Sequence, residues 1–324
     1  MFTGNNGLPV VIKNAICIHE EDAGLLWKHT DSRIGGRSYS VRSRRLVISM
    51  VCTLANYGTF FFITPGQLLV ASNKCISEYV WNYFFYQDGS IEFEIRLTGA
   101  LLVYVAGPNE PAPYATRVAP GINAHFHQHL FSFRIDPMVD GLANSVVETD
   151  VLPAAANYGS PENYAGNAFQ IRDRVLRLAS EGAREWDAST DRRWRIVNAG
   201  KIHYASGQHT GYAIGVKGGA TPLLPRPEGW VGRRATFAHN TLWVVREKED
   251  AREGGRIWPS GKFVQAREEP ADSLARWLRD DGDAKIDNED VLVYVTVGTT
   301  HIPRPEDWPV YVCLGVSIIA AMAC

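Results

Sequence analysis

Between residues 79 and 97 apolar and polar positions follow a period of two. In "SIEFEIRL", Ile91, Phe93, Ile95 and Leu97 alternate with Glu92, Glu94 and Arg96, which predicts a half-buried strand. The aromatic run "YVWNYFFY" precedes it, and Asp88-Gly89 between them predicts an antiparallel hairpin. "RRLVISMVCTLANY" (44–57) is apolar at odd and even positions alike, as in a central strand covered on both faces. "DVLVYVTVGTTH" (290–301) is equally β-branched and ends on His301. Helical periodicity is sparse. "FQIRDRVLRLASEGAREWD" (169–187) predicts one amphipathic helix, and "PADSLARWLRDD" (270–281) a short one with Asp272 near its start. The Gly/Pro-rich stretches 215–230 and 248–262 predict long surface connections. No internal repeat and no linker divides the chain.

Composition agrees with a β-rich globular protein full of turns: 324 residues, 29 Gly, 17 Pro and 11% aromatics. The net charge of -2 supplies no overall field for nucleic acid or an anionic membrane, so neither partner is expected. Arg42, Arg44 and Arg45 predict a solvated sheet face. Five cysteines (Cys17, Cys52, Cys75, Cys313, Cys324), widely spaced and without CxxC, argue against a disulfide framework or zinc ribbon. The start lacks a basic segment followed by an apolar run and small-residue cleavage site, so secretion is not expected. The last 15 residues, "VYVCLGVSIIAAMAC", are apolar but shorter than the ~20 needed to span a bilayer as a helix.

The candidate chemistry lies in "NAHFHQHLFSFRI" (123–135), where His125, His127 and His129 fall at every second position. On a strand, side chains two apart share a face about 6.8 Å apart and can converge on one ion, whereas those four apart, at about 13 Å, cannot. One adjacent pair, 125/127 or 127/129, is therefore the most this strand offers. A third ligand has to come from elsewhere, and His19, His29, His203, His209, His239 and His301 all qualify on spacing. No Gly-rich phosphate loop, GxSxG elbow or zincin helix is present. The residues alone lead to a β-rich metalloprotein, with a cupin-like metal oxygenase among the options.

Several longer motifs sharpen this. "CTLANY", "FFYQDGSIEFEIRLTG", "APGINAHFHQHLFSFRIDPMVDGLANSVVETDV", "GGRIWPSGKF" and "VTVGTTHIPRPEDWP" resemble, in collinear order over residues 8 to 310, the catalytic domain of copper amine oxidases of the fungal peroxisomal type. The resemblance implies a large antiparallel β-sandwich and a homodimer. It implies Cu(II) held by His127, His129 and His301, and a topaquinone cofactor made from Tyr57 of the Asn-Tyr motif. The quinone carbonyl would take the amine as a Schiff base, and Asn56 would orient the ring. The implied reaction turns a primary amine and O2 into an aldehyde, ammonia and hydrogen peroxide. A peripheral calcium, sodium or manganese site is implied at Asp136, the carbonyl of Pro137, Asp290 and the carbonyl of Val291, although Met138 stands where the family carries a further Asp.

Three departures accompany the match. The family's general base, an Asp well upstream of "VVIKNAICIHEEDAG", has no counterpart here, so a catalytically inactive copper-binding remnant is the alternative reading. Residues 58–77, "GTFFFITPGQLLVASNKCIS", separate Tyr57 from Glu78-Tyr79, and removing these 20 residues restores the pattern "NYEYVWNYFFYQDG". They read as a translated intron, expected to push apart the strands that place the ring. Residues 311–324 likewise replace the family's closing strands, and a peroxisomal address would be lost with them, leaving the cytoplasm as the alternative location.

Overall fold

A computed structural model describes residues 14–53, 61–64, 67–70, 77–217, 219–248, 255–263 and 265–323. They form two compact units, one of Met1–Phe126 with Ile302–Gly315, the other of His127–His301 with Val316–Cys324. Both are mainly antiparallel β.

In the first unit a long hairpin is made by β1 (Ile16–Asp31) and β2 (Arg37–Thr53), turned by Gly35 and Gly36, both at positive φ. Short strands β3 (Phe61–Thr64) and β4 (Gln67–Val70) pair with one another. Next, β5 (Ser77–Tyr86) pairs with β2 and with β6 (Ile91–Ala100), and Gly89 at φ 81° makes the predicted turn. A small sheet of β7 (Val103–Val105), β8 (Ala115–Ala119) and β9 (Ile122–His125) completes it. The alternation read in the sequence holds for the second half of β6, where Phe93, Ile95 and Leu97 are buried and Arg96 is exposed, but not for its start, where Ile91 is exposed and Glu92 is buried and accepts from the Tyr86 hydroxyl.

Two expectations for β2 fail. It is central by hydrogen bonding, yet Leu46, Met50 and Val51 are exposed, because apolar content reports the capacity to be covered and not the presence of a cover. Nor do residues 58–77 push β2 and β5 apart: the ladder runs unbroken from Arg45↔Tyr86 to Thr53↔Glu78. Of the arginine cluster, Arg42 and Arg44 are solvated as expected while Arg45 lies over the Phe84 ring and is largely covered; the three pair across the hairpin to Asp22, Glu20 and Glu21 at 2.9, 2.6 and 2.6 Å.

The second unit has two sheets. One holds β10 (His127–Ile135), β17 (Val291–His301), β16 (Leu242–Arg246) and β13 (Ala183–Arg184), in that order. The other includes β11 (Ser145–Pro153), β12 (Phe169–Leu176), β14 (Arg193–Ile202), β15 (His209–Lys217) and the end of β18 (Val310–Ala323), whose residues 317–323 pair with β15. The apolar run at the end of the sequence is thus a strand. Among the helices, α1 (Trp230–Arg234) is one turn, and α2 (Leu274–Asp281) is the predicted short helix, with Ser273 as N-cap accepting from Arg276 N–H.

The helix expected over 169–187 does not form. Phe169, Ile171, Asp173 and Val175 alternate with Gln170, Arg172 and Arg174, and this period-two pattern wins because β11 offers cross-strand partners. Arg172 pairs with Asp150 at 3.0 Å, and Thr149 donates to Asp173 at 2.5 Å. The core lies under β16 and β17, where Trp243, Val245, Leu292 and Tyr294 pack against Leu274 and Trp277 of α2. From Val291 to Gly298 every residue of β17 is buried, so the strand that carries His301 is held from both faces.

Carboxylates tie down the second sheet. Asp150 sits well below the usual carboxylate range because Arg192 donates to it, with Arg172 and Thr190 helping. Glu181 is lowered to about 2, chiefly by the Arg177 backbone N–H and then by Arg174. Depressed carboxylates stabilise the folded state above their unfolded pKa, and that contribution is lost as pH falls through the folded value. Stability toward urea should therefore decline between pH about 4.5 and about 2, and Glu181→Gln should flatten the decline. An unchanged slope in urea titrations at stepped pH would rule this out.

Candidate metal centre

Period two along β10 turns His127 and His129 to one face, and the antiparallel register places His301, the last residue of β17, directly opposite His127. The His127 ring centroid lies 4.8 Å from that of His129 and 4.9 Å from that of His301. One nitrogen from each of the three falls within 4.8 Å of the others. His129 and His301 are buried, at 7% and 4% exposure, and His127 is half-buried. Burial, reinforced by His127 and His301 on either side, pushes the His129 pKa down to about 3, so the ring stays neutral and keeps its lone pair at any ordinary pH.

Three imidazoles converging on one point, the central one held neutral by burial, fit a first-row divalent ion, and nitrogen-only donors favour Cu(II) over the hard cations. Two nitrogens at about 2 Å from one ion are no more than about 4 Å apart, so loading needs only a small closure of the rings.

The alternative pair does not form. His125 belongs to β9, where it stacks on Tyr104 with centroids 4.6 Å apart, and Tyr104 in turn accepts from Asn123 at 3.0 Å. His19 lies beside Cys17, His29 stacks on Trp27, and His203 contacts Ser206. Among the described residues no other group of three or more His, Cys, Asp or Glu converges. Asn56 and Tyr57 lie outside the described residues.

The residues implied for a peripheral cation follow the opposite end of the same ladder, whose last pair is Ile135↔Val293. A guanidinium already serves that corner: Arg134 bridges Asp136 at 3.0 Å and Glu247 at 2.9 Å, while Glu247 N–H donates to the Asp290 carbonyl.

Two residues that period and composition did not single out hold the histidine strands together. At Gly298 a Cβ would collide with the His129 carbonyl oxygen and the Leu130 side chain, so only glycine lets β17 lie this close to β10. Gln128, between the two ligands, points to the reverse face. It donates to the Pro222 carbonyl and Thr300 Oγ1, both at 2.9 Å, and accepts from Leu224 N–H at 2.9 Å. Thr221 adds a donation to the Gly298 carbonyl at 2.7 Å. The signal for Gln128 was its position in an HxH, where parity sends it to the other side.

A mainly β chain with a buried three-histidine cluster on adjacent strand ends has the donor set of a first-row metal site. The model of the copper amine oxidase enzyme domain matches residues 1–320. Copper amine oxidase 1 of Schizosaccharomyces pombe is 39% identical over 311 residues, which cover 95% of this chain and 40% of that protein. The peroxisomal primary amine oxidase of Pichia angusta is also 39% identical, covering 95% and 41%. The copper-containing benzylamine oxidase of Hansenula polymorpha superposes with a TM-score of 0.83 at 30% identity, over 99% of this chain and 45% of that one. The chain belongs to the copper amine oxidase family, and it spans about two-fifths of the length of these curated relatives.

Gly298→Ala should force β10 and β17 apart, lowering stability by about 1–3 kcal/mol in urea melts. It should also weaken Cu(II) about tenfold or more in a competition titration, since ligands on the two strands then separate. Copper affinity left intact by this substitution would show that strand spacing does not hold the ligands.

Proposed function

We propose that this chain is the copper- and quinone-bearing part of a primary amine oxidase, which converts a primary amine, O2 and water into aldehyde, ammonia and hydrogen peroxide. The observation that carries this is the meeting of His127, His129 and His301 across the β10–β17 register, in a chain of this family. His127, His129 and His301 would hold copper, and Tyr57 would be the source of topaquinone. When bound, copper supplies oxidation by O2, and the quinone supplies an electrophile and two-electron sink for the amine.

The chain's own part is preparation. Buried, neutral His129 offers its lone pair without first losing a proton, and Gly298 and Gln128 fix the spacing of the strands that present the three rings. Asn56, next to Tyr57, would orient the ring. At the far end of the ladder, Asp136, Asp290 and the carbonyls of Pro137 and Val291 would take calcium, sodium or manganese. Among the described residues no helix is long and apolar enough to cross a membrane, and the Pichia relative's name motivates a peroxisomal location. Assembly as a homodimer belongs to the same proposal.

A second reading is supported by the β2–β5 register. The ladder ends at Thr53↔Glu78. Removing 58–77 from the sequence would leave only Leu54, Ala55, Asn56 and Tyr57 between the same two partners, a common length for an antiparallel hairpin connection. With the segment in place, the chain is a copper-binding remnant. Without it, Tyr57 stands directly before Glu78, as the family motif requires.

Two chains test this, the one described and one lacking 58–77, each given Cu(II) and O2. The shortened chain should develop a visible band that reacts with phenylhydrazine and is absent in Tyr57→Phe. Equal colour in both chains would defeat the intron reading, and copper uptake without colour in either would defeat the quinone reading. A transcript read across codons 57–78 gives an independent answer.

A further inference from the structure

On the reverse face of the histidine-bearing sheet lies a cleft of about 450 Å³, large enough for a small organic molecule. Its floor includes Thr296, which by parity points away from His301, and one wall is the proline-rich segment Pro222–Pro227 that Gln128 clamps. The polar end is built and not incidental. Glu185 and Trp186 line it, and the buried Thr241 hydroxyl accepts from the Trp186 backbone N–H and donates to the Glu185 carboxylate, both at 3.2 Å. That chain of two hydrogen bonds aims the carboxylate.

Among the described residues no lysine or arginine lines the cleft, the Arg192 guanidinium reaching only the Glu185 backbone carbonyl while it pairs with Asp150, and partial desolvation raises the Glu185 pKa. His239, on the same lining, has an Nε2 shielded from solvent with no hydrogen-bond partner. Pro222, Leu223 and Pro225 supply an apolar wall opposite.

We propose that this cleft is a second small-molecule site that binds an organic ammonium ion, its nitrogen on Glu185 and its apolar body between Trp186 and the proline wall. A carboxylate, an indole and an acceptor-capable imidazole are the groups that recognise such a cation. An anion would meet the Glu185 carboxylate with no lysine or arginine on the lining to offset it, and a bare metal ion would find too few ligands, since the three-histidine group is the one convergent set among the described residues. The inference stands on the cleft and does not depend on copper or the quinone.

The test titrates benzylammonium chloride into the copper-free chain, followed by tryptophan fluorescence and ligand-observed NMR. Saturable binding in the millimolar range is expected. Glu185→Gln, an isosteric change, should weaken it about fivefold or more, in line with loss of one partly exposed ion pair and its hydrogen bond. Neutral benzyl alcohol should bind more weakly by a similar factor, a comparison that needs no variant, and His127→Ala should leave binding unchanged. The proposal is overturned by no saturation up to tens of millimolar, by benzyl alcohol binding as well as the ammonium, by Glu185→Gln without effect, or by loss of binding in His127→Ala.

Discussion

The hydrogen-bonded register of β10 against β17 is the constraint from which the rest of the site follows. Three histidines separated by up to 174 positions in the sequence become neighbours because His127 and His301 are opposite partners in one antiparallel ladder and His129 shares their face. The ladder is in turn set by its surroundings. The wholly buried run of β17, the tryptophan-rich packing of α2 and the missing side chain at Gly298 leave the two strands one way to meet. The three histidines sit where both strands end, in pairing positions of the ladder itself.

Electrostatics then suits the cluster to a metal. Three imidazoles this close would repel if protonated, and burial of His129 and His301 adds a desolvation penalty to any charge. The folded state therefore holds His129 neutral and ready, and a divalent ion meets no proton on that ring that must first be displaced. Fixed neutral donors of this kind are what separates a metal centre from a surface histidine cluster that titrates near pH 6.5.

Much of this was legible in the sequence, for identifiable reasons. The 79–97 hairpin could be read because its turn residues and the buried Phe93, Ile95 and Leu97 mark it, and β17 because its β-branched run is buried on both faces. The strand β12 was misread because Ile171, Val175 and Leu178 among arginines also match a helical stripe, and only the partners on β11 decide between the two periods. Spacing limited the histidines to one adjacent pair but could not choose it. The third ligand came from the family resemblance, since no local pattern reports that residue 301 will stand opposite 127. Gln128, Gly298 and Glu247 were invisible for the same reason: their roles are across-strand contacts, which a single sequence does not display. Exposure of Leu46 and Val51 on β2 shows the converse limit, that an apolar face predicts an affinity for cover and not its presence.

The ending of the β2–β5 ladder at Thr53↔Glu78 carries one further consequence, for what a lengthened connection disturbs. Extra residues spliced in at a hairpin tip lengthen a connection without touching a single rung. Growing such a connection about sixfold costs only roughly 1.6 kcal/mol of closure entropy. A chain lengthened at this point keeps its β2–β5 register, so the effect of the added residues falls on whatever the tip carries and not on the ladder.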